Sequence, residues 1–259
     1  PKICDARPFI GRARAMFFAN GIRRAVEQAR YTLTVSRSAA DEIAAIFPDA
    51  KKRIVVTPNA PAPMFLPARE PARSRARAAE LLGTDRDFYL LVGQNQPSKG
   101  HAIALKAFAG ARTDAELVLI QRRRPGAGLD RLAHELGIET RVRFMPEVSD
   151  EELVLLLQSA SALLQPSLHE GFGMPALEAL ACGCPVIASD IPPLREVLAG
   201  AGLHCEPRSP ESLSAQIERL EDPTLRRELA KRGPERAKAY DWDRSVKTAL
   251  EVYRKAALD

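Results

Sequence analysis

A doubly wound, mostly parallel α/β sheet with helices on both faces is the fold class that the sequence predicts. Three observations carry it. From Asp87 onward six short apolar runs alternate with segments of helical spacing. Two of those runs, Phe88–Val92 and Glu116–Ile120, read as strands buried on both faces rather than as half-solvated alternating ones. The residues between runs are helix punctuation: Gly83 and Gly137 as stops, Ser149 opposite Glu152 as a capping box, and Pro175 in a first helical turn.

Taken in order, residues 12–29 place Ala15, Met16, Phe17, Ile22, Val26 and Ala29 at roughly helical spacing. Tyr31–Val35 reads as a short strand. Ser36 and Ser38 offer caps for a helix through Phe47, which Pro48 ends. Arg53–Thr57 is a second short strand, and the Pro-rich run from Pro58 to Pro63 a stiff linker. An Arg- and Ala-rich helix over 69–82 follows. The strands are then Phe88–Val92, Glu116–Ile120, Arg141–Phe144, Ala162–Leu164, Pro185–Ala188 and Leu203–Glu206. The helices between them are His101–Phe108, Leu129–Leu136, 149–159, Pro175–Ala181 and Pro193–Leu198, and three more close the chain at 210–221, 223–232 and 241–257. Ligands of such sheets bind beyond the carboxyl ends of the strands.

Composition narrows the function. With 46% hydrophobic and 27% charged residues among 259, the chain suits a globular core, not a disordered or coiled-coil chain. No apolar run approaches the ~18 residues that would span a bilayer. Pro1 to Asp5 lack a basic segment leading into an apolar one, so no secretory signal is expected. The net charge of +5 is spread along the chain and aromatics are only 5%, which argues against nucleic acid and for a small anionic ligand. Cys4, Cys182, Cys184 and Cys205 form no disulfide framework, and Cys182-Gly183-Cys184 is not the spacing of a zinc or redox pair. Buried thiols and no metal site are expected.

The most informative stretch is Ser167-Leu168-His169-Glu170-Gly171-Phe172-Gly173-Met174-Pro175-Ala176-Leu177-Glu178. It leaves a strand and opens a helix. Gly171 and Gly173 allow close backbone approach, and the free N–H groups at the helix start make an anion site. Glu170 and Glu178 bracket it. Carboxylates suit hydroxyl donors rather than phosphate, so the stretch reads as a cradle for a ligand with both phosphate and polyol.

This stretch resembles the signature of retaining, GT-B-fold glycosyltransferases of group 1, family GT4, which is E-x-F-G-x-x-x-x-E followed by A-x-x-x-G-x-P-V. Here it runs from Glu170-Gly171-Phe172-Gly173 to Glu178, then Ala179 to Val186 with Gly183 and Pro185 in place. Val92 to Gly100 is similar to the family's V-G-R-x-x-P-x-K-G loop, Val142 to Asp150 to its base-side loop, and Tyr240-Asp241-Trp242 to the aromatic pair that opens the last helix. Thr34-Val35-Ser36 and Pro58-Asn59-Ala60 resemble the end of the first domain and the crossover.

The resemblance implies a GT-B, Rossmann-like donor domain with a partial N-terminal α/β domain. Its boundaries would be 1–58 for the end of the acceptor-side domain, 59–86 for the linker and helix, 87–239 for the nucleotide-sugar domain, and 240–259 for a helix returning to the N-terminal part. It implies a metal-independent transfer of sugar, with retention, from a nucleotide sugar (UDP-, GDP- or another) to an acceptor hydroxyl, with no cofactor. Glu170 and Lys99 would be the catalytic pair, Glu170 on sugar hydroxyls and Lys99 on the diphosphate. N–H groups around Gly171, Phe172, Gly173 and Met174 would face the diphosphate, with Leu177 on the same helix. Glu178 would take the ribose hydroxyls, Gly93 and Gln94 would line the first loop, and backbone groups of Phe144 and Met145 would read the base. Trp242 would anchor the last helix. A cytoplasmic location is expected, and the basic balance permits contact with an anionic membrane surface. The alternative is a non-catalytic sugar-nucleotide module that needs a partner for its acceptor site. An epimerase or a phosphorylase fits less well, because those lack this pair of spaced carboxylates.

Two departures from the pattern stand out. Gln94 replaces an Arg that would sit on the diphosphate, a loss of roughly 1.5–3 kcal/mol of charge-assisted bonding. Arg122-Arg123-Arg124 could compensate, though a solvated basic loop is the simpler reading. The segment before Pro58 also resembles only the final part of the family's first domain, where Cys4-Asp5 falls roughly on a His-Asp of some relatives.

Overall fold

The computed structural model describes residues 10–121 and 127–258. Cys4-Asp5 and Arg122-Arg123-Arg124 therefore lie outside the described residues. The chain forms two compact units, one of residues up to Pro58 together with Asp243 onward, the other Asn59–Trp242.

In the first unit, helix α1 (Ile10–Gln28) leads to strand β1 (Thr32–Thr34), helix α2 (Arg37–Ile46) and strand β2 (Ile54–Val56). β1 and β2 pair in parallel, Thr32 opposite Ile54. Of the two serines expected to cap α2, Ser36 does so, accepting from the Ala39 N–H at 3.0 Å, while Ser38 is buried inside the helix. Pro48 stops α2 by opening a 3-10 turn that runs to Arg53.

In the second unit, helix α3 (Pro71–Leu82) ends on Gly83, which holds the left-handed conformation (φ 66°) that a helix stop favours. Then come β3 (Phe88–Val92), α4 (His101–Gly110), β4 (Glu116–Ile120), α5 (Ala127–Glu135), β5 (Val142–Met145), α6 (Asp150–Ser159), β6 (Ala162–Gln165), α7 (Met174–Ala181), β7 (Val186–Ser189), α8 (Pro192–Leu198) and β8 (Leu203–Cys205). Helices α9 (Pro210–Arg219) and α10 (Pro223–Ala237) complete it, and α11 (Trp242–Leu258) returns to the first unit. All six strands are parallel, in the order β5-β4-β3-β6-β7-β8. The order reverses between β3 and β6, and in open α/β sheets ligands bind at such a switch point, beyond the carboxyl ends of the strands.

Burial explains the strand composition. Tyr89, Leu91, Leu117, Leu119 and Leu164 form one core with Leu105 and Phe108 of α4 and Leu213 and Ile217 of α9. The alternate residues Leu90, Val118 and Leu163 are buried as completely, so both faces of the sheet are covered. The capping box of α6 is complete, with Ser149 Oγ accepting from Glu152 N–H and the Glu152 carboxylate accepting from Ser149 N–H.

Two further expectations are corrected. The helix expected to end at 232 runs on to Ala237 with Pro234 inside it. The cause is tertiary: α10 lies against α7 so closely that a Cβ on Gly233 would come within 2.9 Å of the Leu180 carbonyl oxygen. Trp242 does not anchor the last helix, being 45% exposed, whereas Ser245 and Val252 of α11 are buried. Cys182, Cys184 and Cys205 are free and buried. Burial pushes the Cys182 thiol up to about 12 and Cys205 up to about 11, which leaves both unreactive.

Candidate functional site

Two loops meet at the β3/β6 switch point. The first leaves β3 at Gly93 (φ 144°), turns through Pro97–Lys99, and enters α4 at Gly100 (φ 71°). The second leaves β6 at Gln165 and enters α7 at Gly173 (φ 117°). The Leu168 N–H donates to the Ser98 carbonyl at 2.7 Å, which ties the loops together. Gly100 permits the contact, since a Cβ there would lie 2.1 Å from the Pro166 carbonyl oxygen. At Gly173 a Cβ would meet Leu194 Cδ2 at 2.6 Å, and the positive φ excludes other residues as well.

Lys99 and Glu170, far apart in sequence, meet here. The Lys99 ammonium donates to both oxygens of Glu170, at 2.8 and 2.9 Å. Glu170 Oε1 also accepts from Gln165 Nε2 at 3.0 Å and from Ser167 Oγ at 2.7 Å. The Glu170 side chain is 9% exposed and that of Lys99 is 32% exposed. Behind them the N-terminus of α7 carries backbone N–H groups without intrahelical partners, and Pro175 removes one that would otherwise need satisfying. An ammonium and a helix N-terminus therefore converge at the switch point, next to an oriented carboxylate.

Glu178 lies one turn into α7, half-buried, with no hydrogen-bond or ion-pair partner among the described residues. Burial, reinforced by the charge of Asp150, pushes its carboxyl up to about 7. Such a group is short of donors, and a pair of sugar hydroxyls would supply them. Phe172 is buried and packs edge-on against Tyr240 with ring centroids 5.4 Å apart, so its ring is structural while its backbone lines the turn. Leu177 is fully buried and its N–H closes the first helical bond to the Gly173 carbonyl at 3.1 Å. Gly171 is exposed, and Met174 is half-buried at the helix start.

Toward the other side of the switch point, Gln94 is exposed and its side-chain oxygen accepts from Gln96 Nε2 at 2.9 Å. Phe144 and Met145 end the edge strand β5. The Met145 carbonyl is taken by the Gln121 N–H at 3.2 Å, so Phe144 is the one whose backbone groups turn to the open edge. From β5 to β6 is three strand spacings, about 14 Å. That span suits an elongated ligand lying across the carboxyl edge.

Four residues of this region escaped the sequence reading. Gln165 and Ser167 hold Glu170. The signal for Gln165 is a polar residue ending an apolar strand; Ser167 had no signal beyond its place in the motif. His101 is buried at the start of α4, where burial, aided by the Lys99 charge, pushes its imidazole down to about 4. Gln121 is a buried carboxamide, neither of whose polar atoms has a partner among the described residues.

The family model of the glycosyl transferases group 1 matches residues 72–236, which include every one of these site residues. The chain belongs to that family. It is 30% identical over 247 residues to O-antigen chain mannosyltransferase B of Escherichia coli, a match that covers 93% of this chain and 65% of that protein. Among solved structures it is similar to sucrose-phosphate synthase of Thermosynechococcus elongatus, with a TM-score of 0.76 and 28% identity over 89% of this chain and 59% of that one. It also shares the fold of Anabaena HepE, solved in complex with UDP-glucose, with a TM-score of 0.77 at 18% identity over 95% of this chain and 70% of that one. The fold is that of the GT-B glycosyltransferases. The chain spans about half to two-thirds of the length of the curated relatives that it matches. No helix among the described residues is long and apolar enough to cross a membrane.

Proposed function

We propose that this chain binds a nucleotide sugar and transfers the sugar to an acceptor hydroxyl, with retention of configuration and without a metal. The observation that carries the reading is the convergence of Lys99, Glu170 and the α7 N-terminus at the β3/β6 switch point. Lys99 and the helix N–H groups face the diphosphate, Glu170 takes sugar hydroxyls, Glu178 takes the ribose, and Phe144 meets the base. As the bond from the anomeric carbon to the phosphate oxygen breaks, negative charge grows on the diphosphate. A fixed ammonium and a helix N-terminus stabilise it there, which is the role a metal would otherwise fill. The acceptor oxygen bonds to the anomeric carbon on the face the diphosphate leaves, and its proton passes to the departing phosphate oxygen. Glu170 is a poor nucleophile for a double displacement, since three side chains already hold its carboxylate. The UDP-glucose bound to HepE supports a nucleotide sugar as the donor class.

The test is a thermal-shift titration with UDP, GDP, ADP, dTDP and their sugar conjugates, with Lys99→Ala and Glu178→Ala alongside. A ligand at ~100 times its Kd adds about 2.7 kcal/mol, several degrees for a protein of this size. A shift with one base, lost in both variants, is expected. No shift with any of them overturns the reading. Anomeric proton couplings of a product formed in EDTA test retention and metal independence together.

A further inference from the structure

The two groups assigned to grip the donor hold each other. This observation leads beyond the assignment of a donor site, on which it rests. Glu170 Oε1 accepts from three side chains, Lys99, Gln165 and Ser167, but Oε2 accepts from Lys99 alone. Gln165 and Ser167 are both buried at the end of β6 and just beyond it, so their donors are fixed in place. Lys99 is different. Its ammonium sits on a flexible stem, is 32% exposed, and is rooted in the neighbouring loop.

We propose that Lys99 is an exchangeable counter-ion. It pairs with Glu170 until a nucleotide sugar enters, then transfers to the diphosphate while the sugar hydroxyls replace it on Glu170. Withdrawing a cation from a carboxylate only 9% exposed is costly unless other donors take its place. A nucleoside diphosphate alone brings phosphate for Lys99 but nothing for Glu170. A nucleotide sugar brings both. Both ligands bear the cost of parting Lys99 from Glu170, and only the intact donor offsets it, so the spent nucleotide is held more weakly than its phosphate contacts would give. Once the sugar has gone, the return of Lys99 to Glu170 helps expel the product.

The experiment is calorimetric titration of the full chain with the nucleoside diphosphate that gives the largest thermal shift, and with its sugar conjugate. The proteins are the parent, Glu170→Gln, Lys99→Met and the double variant. Glu170→Gln frees Lys99, so the diphosphate should bind about tenfold tighter, between the worth of an exposed and a buried ion pair. The sugar conjugate should gain nothing. In the Lys99→Met background, Glu170→Gln should change diphosphate affinity less than about twofold, because the gain needs the ammonium. The exchange is overturned if Glu170→Gln binds the diphosphate no tighter than the parent, as a permanent strut predicts. It is overturned equally if the tightening persists without Lys99, which would mean simple loss of a negative charge. Parent binding with either result leaves the donor site standing, whereas a parent that binds no nucleotide removes both. Glu170→Asp, which keeps the charge but withdraws it by one methylene, should tighten the diphosphate as well and serves if the Gln variant fails to fold.

Discussion

Glu178→Gln should make the protein more stable while making it a poorer binder of its ligand. The carboxyl is half-buried without a hydrogen-bond partner among the described residues, and burial with the nearby Asp150 charge raises it to about 7 from an ordinary 4.5. The folded state therefore holds the proton more tightly than the unfolded chain. Stability is unaffected by this group below about pH 4.5, falls as the pH rises toward 7, and is flat above that. At about 1.36 kcal/mol per pKa unit the loss would be about 3 kcal/mol, and solvent screening of a half-buried group brings it to about 2 kcal/mol. A carboxamide has the shape of the protonated acid and cannot ionise. Thermal melts of parent and variant from pH 4.5 to pH 8.5 are the assay, read as the difference between the two so that other titrating groups cancel. The variant should gain about 4–8 °C at pH 8 and nothing at pH 4.5. A difference that does not change with pH would refute the account of Glu178 as a carboxyl whose ionisation burial and Asp150 oppose.

Other outcomes follow from the same geometry. If ribose hydroxyls donate to Glu178, nucleotide affinity should drop about tenfold between pH 8 and pH 6 as the carboxylate protonates, and Glu178→Gln should flatten that profile in calorimetry. Gly100→Ala forces a Cβ toward the Pro166 carbonyl at a positive φ, and urea unfolding should show a loss of about 2–4 kcal/mol; a loss under about 1 kcal/mol would mean the two loops are not packed as described. Ser149→Ala removes the oxygen that accepts from the Glu152 N–H and should cost about 1 kcal/mol in the same measurement; no loss of stability would mean that the cap is not made.

How much was legible depends on the distance over which each feature is decided. β3 and β4 are legible residue for residue, because a strand buried on both faces is a near-continuous apolar run, broken here only by Glu116 at the start of β4, which Arg143 pairs. The α6 start was legible because a capping box is a local exchange of two hydrogen bonds. The motif from Glu170 to Glu178 was legible because a glycine turn into a helix needs its residues at set positions. The end of α10 was not, since it depends on how closely that helix approaches Leu180. The exposure of Trp242 was not legible for a similar reason: aromatic character says nothing of whether a surface is covered.

The sequence by itself determined the fold class, the family, and the glycine-turn motif with its two glutamates. Periodicity and punctuation are short-range, and they survive in the order of letters. The tertiary structure decided which of those residues meet. The parallel order that reverses between β3 and β6 brings Lys99 onto Glu170 from a loop 71 residues away, with Gln165 and Ser167 behind it. It also sets Glu178 near Asp150, and so its affinity for a proton. Charge pairing and desolvation depend on separations of a few ångströms between distant segments, and only the folded chain sets those.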